Sequence, residues 1–296
     1  MLLHKNRFST EPIYAQKIKD KIVADNHEED YTQFLFEKFQ PFENRDSYSE
    51  FHISLIKLGF CGIVTTNYDR VLEIAIQSSP DLCSHECVSL DLCEKKSYSI
   101  FPFLRSLNSK TNHSQVLHLH GYYRNPSDII LTKKDYEKNY GQLDENDKKP
   151  QRPLDTIHRK VIWALLTTHP HLFVGFSLTD PYFLEMIRTV NYDFKLGKKC
   201  SHYAIMGYHD DIEMSRILCE LTQLGICPIF YKIDINSDKT ENHTRLEDLI
   251  TDIEHSLSLN RRFAKSGKKP ELDLNVEVAP STKLPPLNDM NAVTGG

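Results

Sequence analysis

Three polar clusters each close a short apolar run: Thr65-Thr66-Asn67-Tyr68-Asp69 after GIV, His118-Leu119-His120-Gly121 after QVL, and Gly175-Phe176-Ser177-Leu178-Thr179-Asp180 after LFV. Their side chains suit a bond-breaking site. An imidazole titrates near neutral pH and takes a proton from a hydroxyl. An amide such as that of Asn67 offers both donor and acceptor and can fix a water. Each cluster also has an ordinary structural reading. Asn67 or Asp69 can start a helix, a histidine at a strand end can be tied to backbone, and G-x-S can be only a turn. Ligands of open α/β sheets sit beyond the carboxyl ends of the strands, and all three clusters fall at such ends. A fourth group, Cys83, Cys87 and Cys93 with His85 between them, has the ligand types for zinc. It lacks a paired C-x-x-C knuckle, so the reading taken is an ordinary loop and no metal.

The elements that must position these clusters follow from the spacing of apolar residues. Residues 1–58 contain no glycine and read as three helices. The first has Pro12 in its opening turn and a stripe of Ile13, Ile18, Ile22 and Val23. The second uses Phe34, Leu35 and Phe39. The third, Phe51 to Leu58, stops at Gly59. Together they are expected to form a helical layer over a sheet. GIVTTN reads as strand and turn, and DRVLEIAIQ as a helix. Residues 78–114 show no period. QVLHLH and IILT (129–132) read as strands, with a helix over 133–140, a charged loop from Asp144, and a helix over 157–168. HLFVGF reads as a buried strand, and Asp180-Pro181 as an N-cap with proline in the first turn. HYAIM, a helix over 210–224, ICPIFY and a last helix over 245–257 complete the pattern. This alternation predicts an α/β, Rossmann-like three-layer fold with a mainly parallel sheet. Strands such as HLFVGF and GIVTT are apolar throughout, as strands covered on both faces are. His118 and His120, two apart, share a strand face. The expected domains are 1–257 and a flexible tail, 258–296, rich in proline and lysine.

Composition narrows the class. The chain has 296 residues, 40% of them apolar and 26% charged, with a formal net charge of -5. That fits a globular protein rather than a fibrous or disordered one. The acidic balance argues against general nucleic-acid binding. No apolar run is long enough for a membrane span or a secretory signal. Seven scattered cysteines then point to a reduced, cytoplasmic setting.

The segments TTNYDRVLE, LHLHGYYRNPSDIILTKKDY and FVGFSLTDPYFLEMI, in that order, resemble the sirtuin-like (silent information regulator) family over about residues 50–235. They look most like its bacterial branch of NAD-consuming defence proteins. The resemblance puts Asn67 where an amide holds the nicotinamide ribose and the attacking water, and Asp69 where a carboxylate shapes the nicotinamide pocket. It puts His120, followed by Gly121, at the general base, with His118 as a wall residue. Gly175 and Ser177 match the turn that contacts the ADP-ribose part. Thr65, Thr66, Asp69, Gly121, Gly175, Ser177 and Asp180 thus form the implied cofactor-binding set, with Asn67 and His120 catalytic. What this implies is an NAD hydrolase releasing nicotinamide and ADP-ribose, with NAD as substrate and no metal, acting in anti-phage defence. A homo-oligomer is implied as partner, and a sensor or ATPase, if present, as a separate chain. The alternative is a catalytically silent nucleotide-binding or scaffold subunit.

Two features depart from the family pattern. The zinc module of protein-deacylating sirtuins has no room between Gly121 and the IILT run, and no cysteine occurs between Cys93 and Cys200. The Gly-rich loop that cradles the pyrophosphate at a helix N-terminus is also missing: no glycine precedes Gly59 and no G-x-G occurs. An upstream segment, another means of holding phosphate, or a non-catalytic role each accounts for that.

Overall fold

Among the described residues, six short parallel strands carry the fold, in two sheets. In one, β1 (Ile63–Thr65) and β2 (Val88–Asp91) flank β3 (Gln115–His118); in the other, β4 (Leu172–Phe173) and β6 (Ile226–Lys232) flank β5 (His202–Tyr208). A two-stranded antiparallel ribbon, β7 (Asp234–Ile235) and β8 (Glu241–Asn242), follows. The computed structural model describes residues 5–40, 48–79, 88–93, 100–108, 115–143, 154–176, 178–196 and 199–266. The described helices are α1 (Lys5–Ala24), α2 (Glu28–Phe39), α3 (Glu50–Lys57), α4 (Val71–Gln77), α5 (Ile100–Ser106), α6 (Lys133–Tyr140), α7 (Ile157–Thr168), α8 (Pro181–Asp193), α9 (Asp211–Gln223) and α10 (Thr244–Ser266).

Alternate strand residues point to opposite faces, and each face is covered. Val116 packs with Ile56 of α3 and with Ala75 and Ile76 of α4. Its neighbour Leu117 joins Phe103 of α5 and Ile162 of α7. In the second sheet Ala204 lies in that same cluster with Met186 of α8 and Leu221 of α9, whereas Ile205 turns to Leu58 and Ile250. The result is the three-layer, parallel α/β architecture of the Rossmann type. Each fully buried aliphatic side chain in it contributes roughly 1.5–3 kcal/mol. Arg159, buried in α7, reaches Glu185 of α8 through two hydrogen bonds of 2.6 and 3.2 Å and ties two helices of one layer together.

The mainly parallel α/β pattern holds, with the parallel strands of the described residues falling in two three-stranded sheets. Several expectations need correction. Residues 78–114 contain β2 and α5. The run 129–132 is no strand: Ile129 and Ile130 are buried, and the Ile130 N–H donates to the His120 carbonyl in a single 2.8 Å bond without a ladder. HLFVGF pairs only at Leu172 and Phe173. Pro12 lies inside α1, not in its first turn. Of the α1 stripe, Ile13, Ile18 and Val23 are exposed, because α1 packs on α2 and α6 and not on a sheet. Lys134 at the start of α6 reaches Asp20 at 3.1 Å. The last helix continues past Leu257 to Ser266. The chain divides into two units, 1–254 and 255–296; the described part of the second, 255–266, is helical. No helix among the described residues is long and apolar enough to cross a membrane.

Candidate functional site

The turn after β1 is built by its own side chains. Thr65 Oγ1 accepts the Asn67 N–H at 3.0 Å, and the Tyr68 hydroxyl donates to the Ile130 carbonyl at 2.9 Å. Asp69 Oδ1 accepts the Val71 N–H at 3.0 Å and so ties the turn to the first residue of α4, whose N-cap is Arg70. That leaves Asn67 out of the capping: it is exposed, and its amide bonds to nothing among the described residues.

A cavity of about 410 Å³ opens beside this turn. Thr65, Thr66, Asn67 and Asp69 line one wall and Gly175 another. Its floor lies between the outer edges of β1 and β4, and its sides are apolar residues of α3, α5 and α7. Thr65 O accepts from Leu119 N and His171 O from Tyr203 N, each at 2.8 Å. Successive residues of a parallel strand direct their N–H and C=O groups to opposite sides. Val64 and Leu172 therefore turn theirs toward the cavity. Both strands are apolar on both faces yet only half-buried there.

Of the other expected residues, the described ones, His120, Gly121 and Asp180, do not line this cavity. His120 is buried, with Nε2 3.0 Å from the Tyr140 hydroxyl and Tyr136 edge-on at 5.3 Å. Burial and then the nearby His158 push its pKa down to about 3. It is a neutral imidazole at pH 7, and the same shift makes it a weak base. Gly121 has φ +96°, and a Cβ there would meet the Ile129 backbone at 3.0 Å, which explains the glycine. Gly175, at φ +64°, turns the chain at the cavity wall. Asp180 is a buried N-cap, accepting from Tyr182 and Phe183 N–H at 2.9 and 3.1 Å; burial raises its pKa against those bonds. Ser177, Cys83, His85 and Cys87 lie outside the described residues. Cys93 is half-buried, 3.7 Å from His158 Nε2, and burial pushes its thiol pKa well up, so it is an inert thiol.

Sequence reasoning passed over Glu73. It is buried in α4 and meets His118 Nε2 at 2.7 Å and the Ser89 hydroxyl at 2.5 Å. The available signal was its position as the one ionisable residue of VLEIAIQ.

Burial also holds His158 and His171 neutral, each with its pKa lowered to about 4. With His120 that makes three histidines pushed well below the unfolded value of about 6.5, and burial lowers His52 and His202 as well. The unfolded chain binds protons that the folded chain does not, so stability is full above that value and falls as pH drops toward 4. Each of the three removes ~1.4 kcal/mol per pH unit in that window. Urea midpoints measured from pH 7 to pH 5 are expected to decline steeply; a flat profile would contradict this.

A three-layer parallel α/β protein with polar turns gathered at strand ends is the class that fold and site define. Residues 62–229, from the start of β1 into β6, match the SIR2-like domain family, and the chain belongs to that family. It is also similar to the NAD(+) hydrolase ThsA of Bacillus cereus (strain MSX-D12): 27% identical over 151 residues, covering 50% of this chain and 26% of the relative. The match spans about a quarter of that relative's length.

Proposed function

We propose that this protein hydrolyses NAD to nicotinamide and ADP-ribose, in a bacterial defence that depletes NAD. The observation that carries the reading is the gathering of Thr65, Thr66, Asn67, Asp69 and Gly175 on one cavity, with the Asn67 amide unengaged by the described residues. Similarity to an NAD(+) hydrolase supports it. Breaking the nicotinamide–ribose bond passes through an oxocarbenium-like state. Nicotinamide leaves readily, so the protein's task is positioning and charge stabilisation. In this account Asn67 holds the attacking water and the nicotinamide ribose, and His120 takes a ribose hydroxyl proton. Thr65, Thr66 and Asp69 shape the nicotinamide side, Gly121 lets the backbone turn after His120, and the turn from Gly175 through Ser177 to Asp180 faces the ADP-ribose part. No metal is needed for these steps. Assembly as a homo-oligomer, beside a separate sensor or ATPase chain, in the cytoplasm, belongs to the same proposal. Nicotinamide release in the absence of acyl-lysine tests the reaction; release that requires acyl-lysine would reassign it to deacylation.

The cavity floor bears on how well the chain binds. Dinucleotide phosphates are usually held by N–H groups of a glycine loop and the helix after it. Residues 1–58 supply no glycine, and among the described residues no strand pairs with β1 or β4 on the cavity side. The expected result is weak NAD binding and slow turnover by the 296-residue chain alone. Both should rise when a segment carrying a Gly-rich loop is joined ahead of residue 1 or supplied by a partner. Calorimetry on both forms decides it; tight binding by the chain alone would contradict the glycine argument.

A further inference from the structure

A polar pair behind the cavity wall takes no part in the steps above. His118 is fully buried on β3, with Nδ1 2.8 Å from the Asn67 carbonyl oxygen and Nε2 2.7 Å from Glu73 Oε1. A carbonyl can only accept, and so can an ionised carboxylate, so both ring nitrogens carry hydrogen and the ring is an imidazolium. The Ser89 hydroxyl donates to the same Oε1, which favours the ionised carboxylate. Burial pushes His118 down, but the hydrogen bond and charge of Glu73 outweigh it and its pKa is raised. Burial likewise pushes Glu73 up, and its bond and attraction to His118 bring it below the ordinary range. The other titratable groups facing the ring are Asp91 of β2 and Tyr122, whose ring lies 4.7 Å away. Four pieces of chain thus meet at one imidazolium: α4, β2, β3 and the turn that ends in Asn67.

We propose that His118, held charged by Glu73, is the positioning residue that fixes the Asn67 turn, and that loss of its proton releases that turn and lowers turnover. The activity arm rests on the NAD reading above. The direction follows from bond strength. A hydrogen bond to a carboxylate is stronger than one to a carbonyl, so Nε2 keeps its hydrogen and Nδ1 loses its own. The bare Nδ1 lone pair then faces the Asn67 carbonyl and repels it. The charged form is present below the raised pKa of His118 and lost as pH rises through it. Turnover falls on that alkaline side by about tenfold per pH unit, as one proton requires. Glu73→Gln removes the charge but leaves a side chain that donates to Nε2. The neutral ring then keeps hydrogen on Nδ1 and holds the carbonyl at every pH, so the alkaline fall disappears.

The experiment is an NMR titration of the His118 ring nitrogens and the Tyr68 amide, run beside pH–rate profiles of the wild-type protein and Glu73→Gln. The expected result is a doubly protonated His118 at pH 7, a Tyr68 shift that follows its titration, and an alkaline fall in turnover at the same pH. In Glu73→Gln the ring is neutral at pH 7 and that fall is gone. A neutral His118 in the wild type, a Tyr68 shift indifferent to it, or an unchanged alkaline limb in Glu73→Gln would each overturn the proposal. If the wild type releases no nicotinamide, the NAD reading fails, while the NMR titration still decides whether His118 governs the turn.

Discussion

Replacing His120 with alanine is expected to lower nicotinamide release by roughly two to four orders of magnitude, the usual contribution of a positioned acid–base group. The imidazole is neutral at pH 7, since burial and His158 push its pKa down to about 3, and in that setting it is a weak base that gains strength only when positive charge develops beside it. Its Nε2 is engaged by the Tyr140 hydroxyl and it does not line the cavity, so for Nε2 to take a ribose proton Tyr140 must yield. A position at a strand end suggests that the fold would tolerate the change without cost. Burial corrects that: alanine leaves Tyr140 without its partner and costs about 1–3 kcal/mol of stability. His120→Gln, which can keep a hydrogen bond to Tyr140, separates the two effects. Both variants should lose turnover, and only the alanine variant should melt markedly lower. Retained turnover in either folded variant would remove His120 from the chemistry.

Asn67→Ala is expected to act almost entirely on chemistry. Its side-chain amide is exposed and bonds to no described residue, and neither Asn67 nor Asp69 is the N-cap of α4, which is Arg70, although Asp69 accepts the Val71 N–H. Stability should therefore change by less than about 0.5 kcal/mol. Turnover should fall by about 10²–10³, as when one preorganised hydrogen-bonding group is removed from a polar transition state. Binding of ADP-ribose should be nearly unchanged, because the amide serves the nicotinamide side. Parallel loss of stability and of ADP-ribose affinity would make Asn67 a structural residue.

What could be read from the sequence followed the strength of the local signal. The helices over 133–140 and 157–168 matched their observed ends because each begins at a threonine cap, and the second also carries a clear apolar face. The Asp180-Pro181 start of α8 was legible for the same reason. β2 was not, since VSLD alternates over four residues and is a strand only because β3 lies beside it. IILT misled because β-branched residues suit any extended, buried segment, and what it lacks is a partner strand. The three polar clusters were legible as a set, but their geometry was not. Thr65, Thr66, Asn67, Asp69 and Gly175 share the cavity, whereas His120 and Asp180 are turned inward by contacts with Tyr140 and the first turn of α8. Glu73 went unread because a single acidic residue on a short helix looks like a solvated one until the buried His118 opposite it is seen.

The most direct test of the account is a nicotinamide-release assay on the purified chain with NAD alone, with Asn67→Ala in parallel. The account expects slow release above the uncatalysed rate, equal amounts of nicotinamide and ADP-ribose, no requirement for acyl-lysine, and loss of the signal in Asn67→Ala. Release by the wild type no faster than by Asn67→Ala, under conditions where NAD is seen to bind, would contradict it.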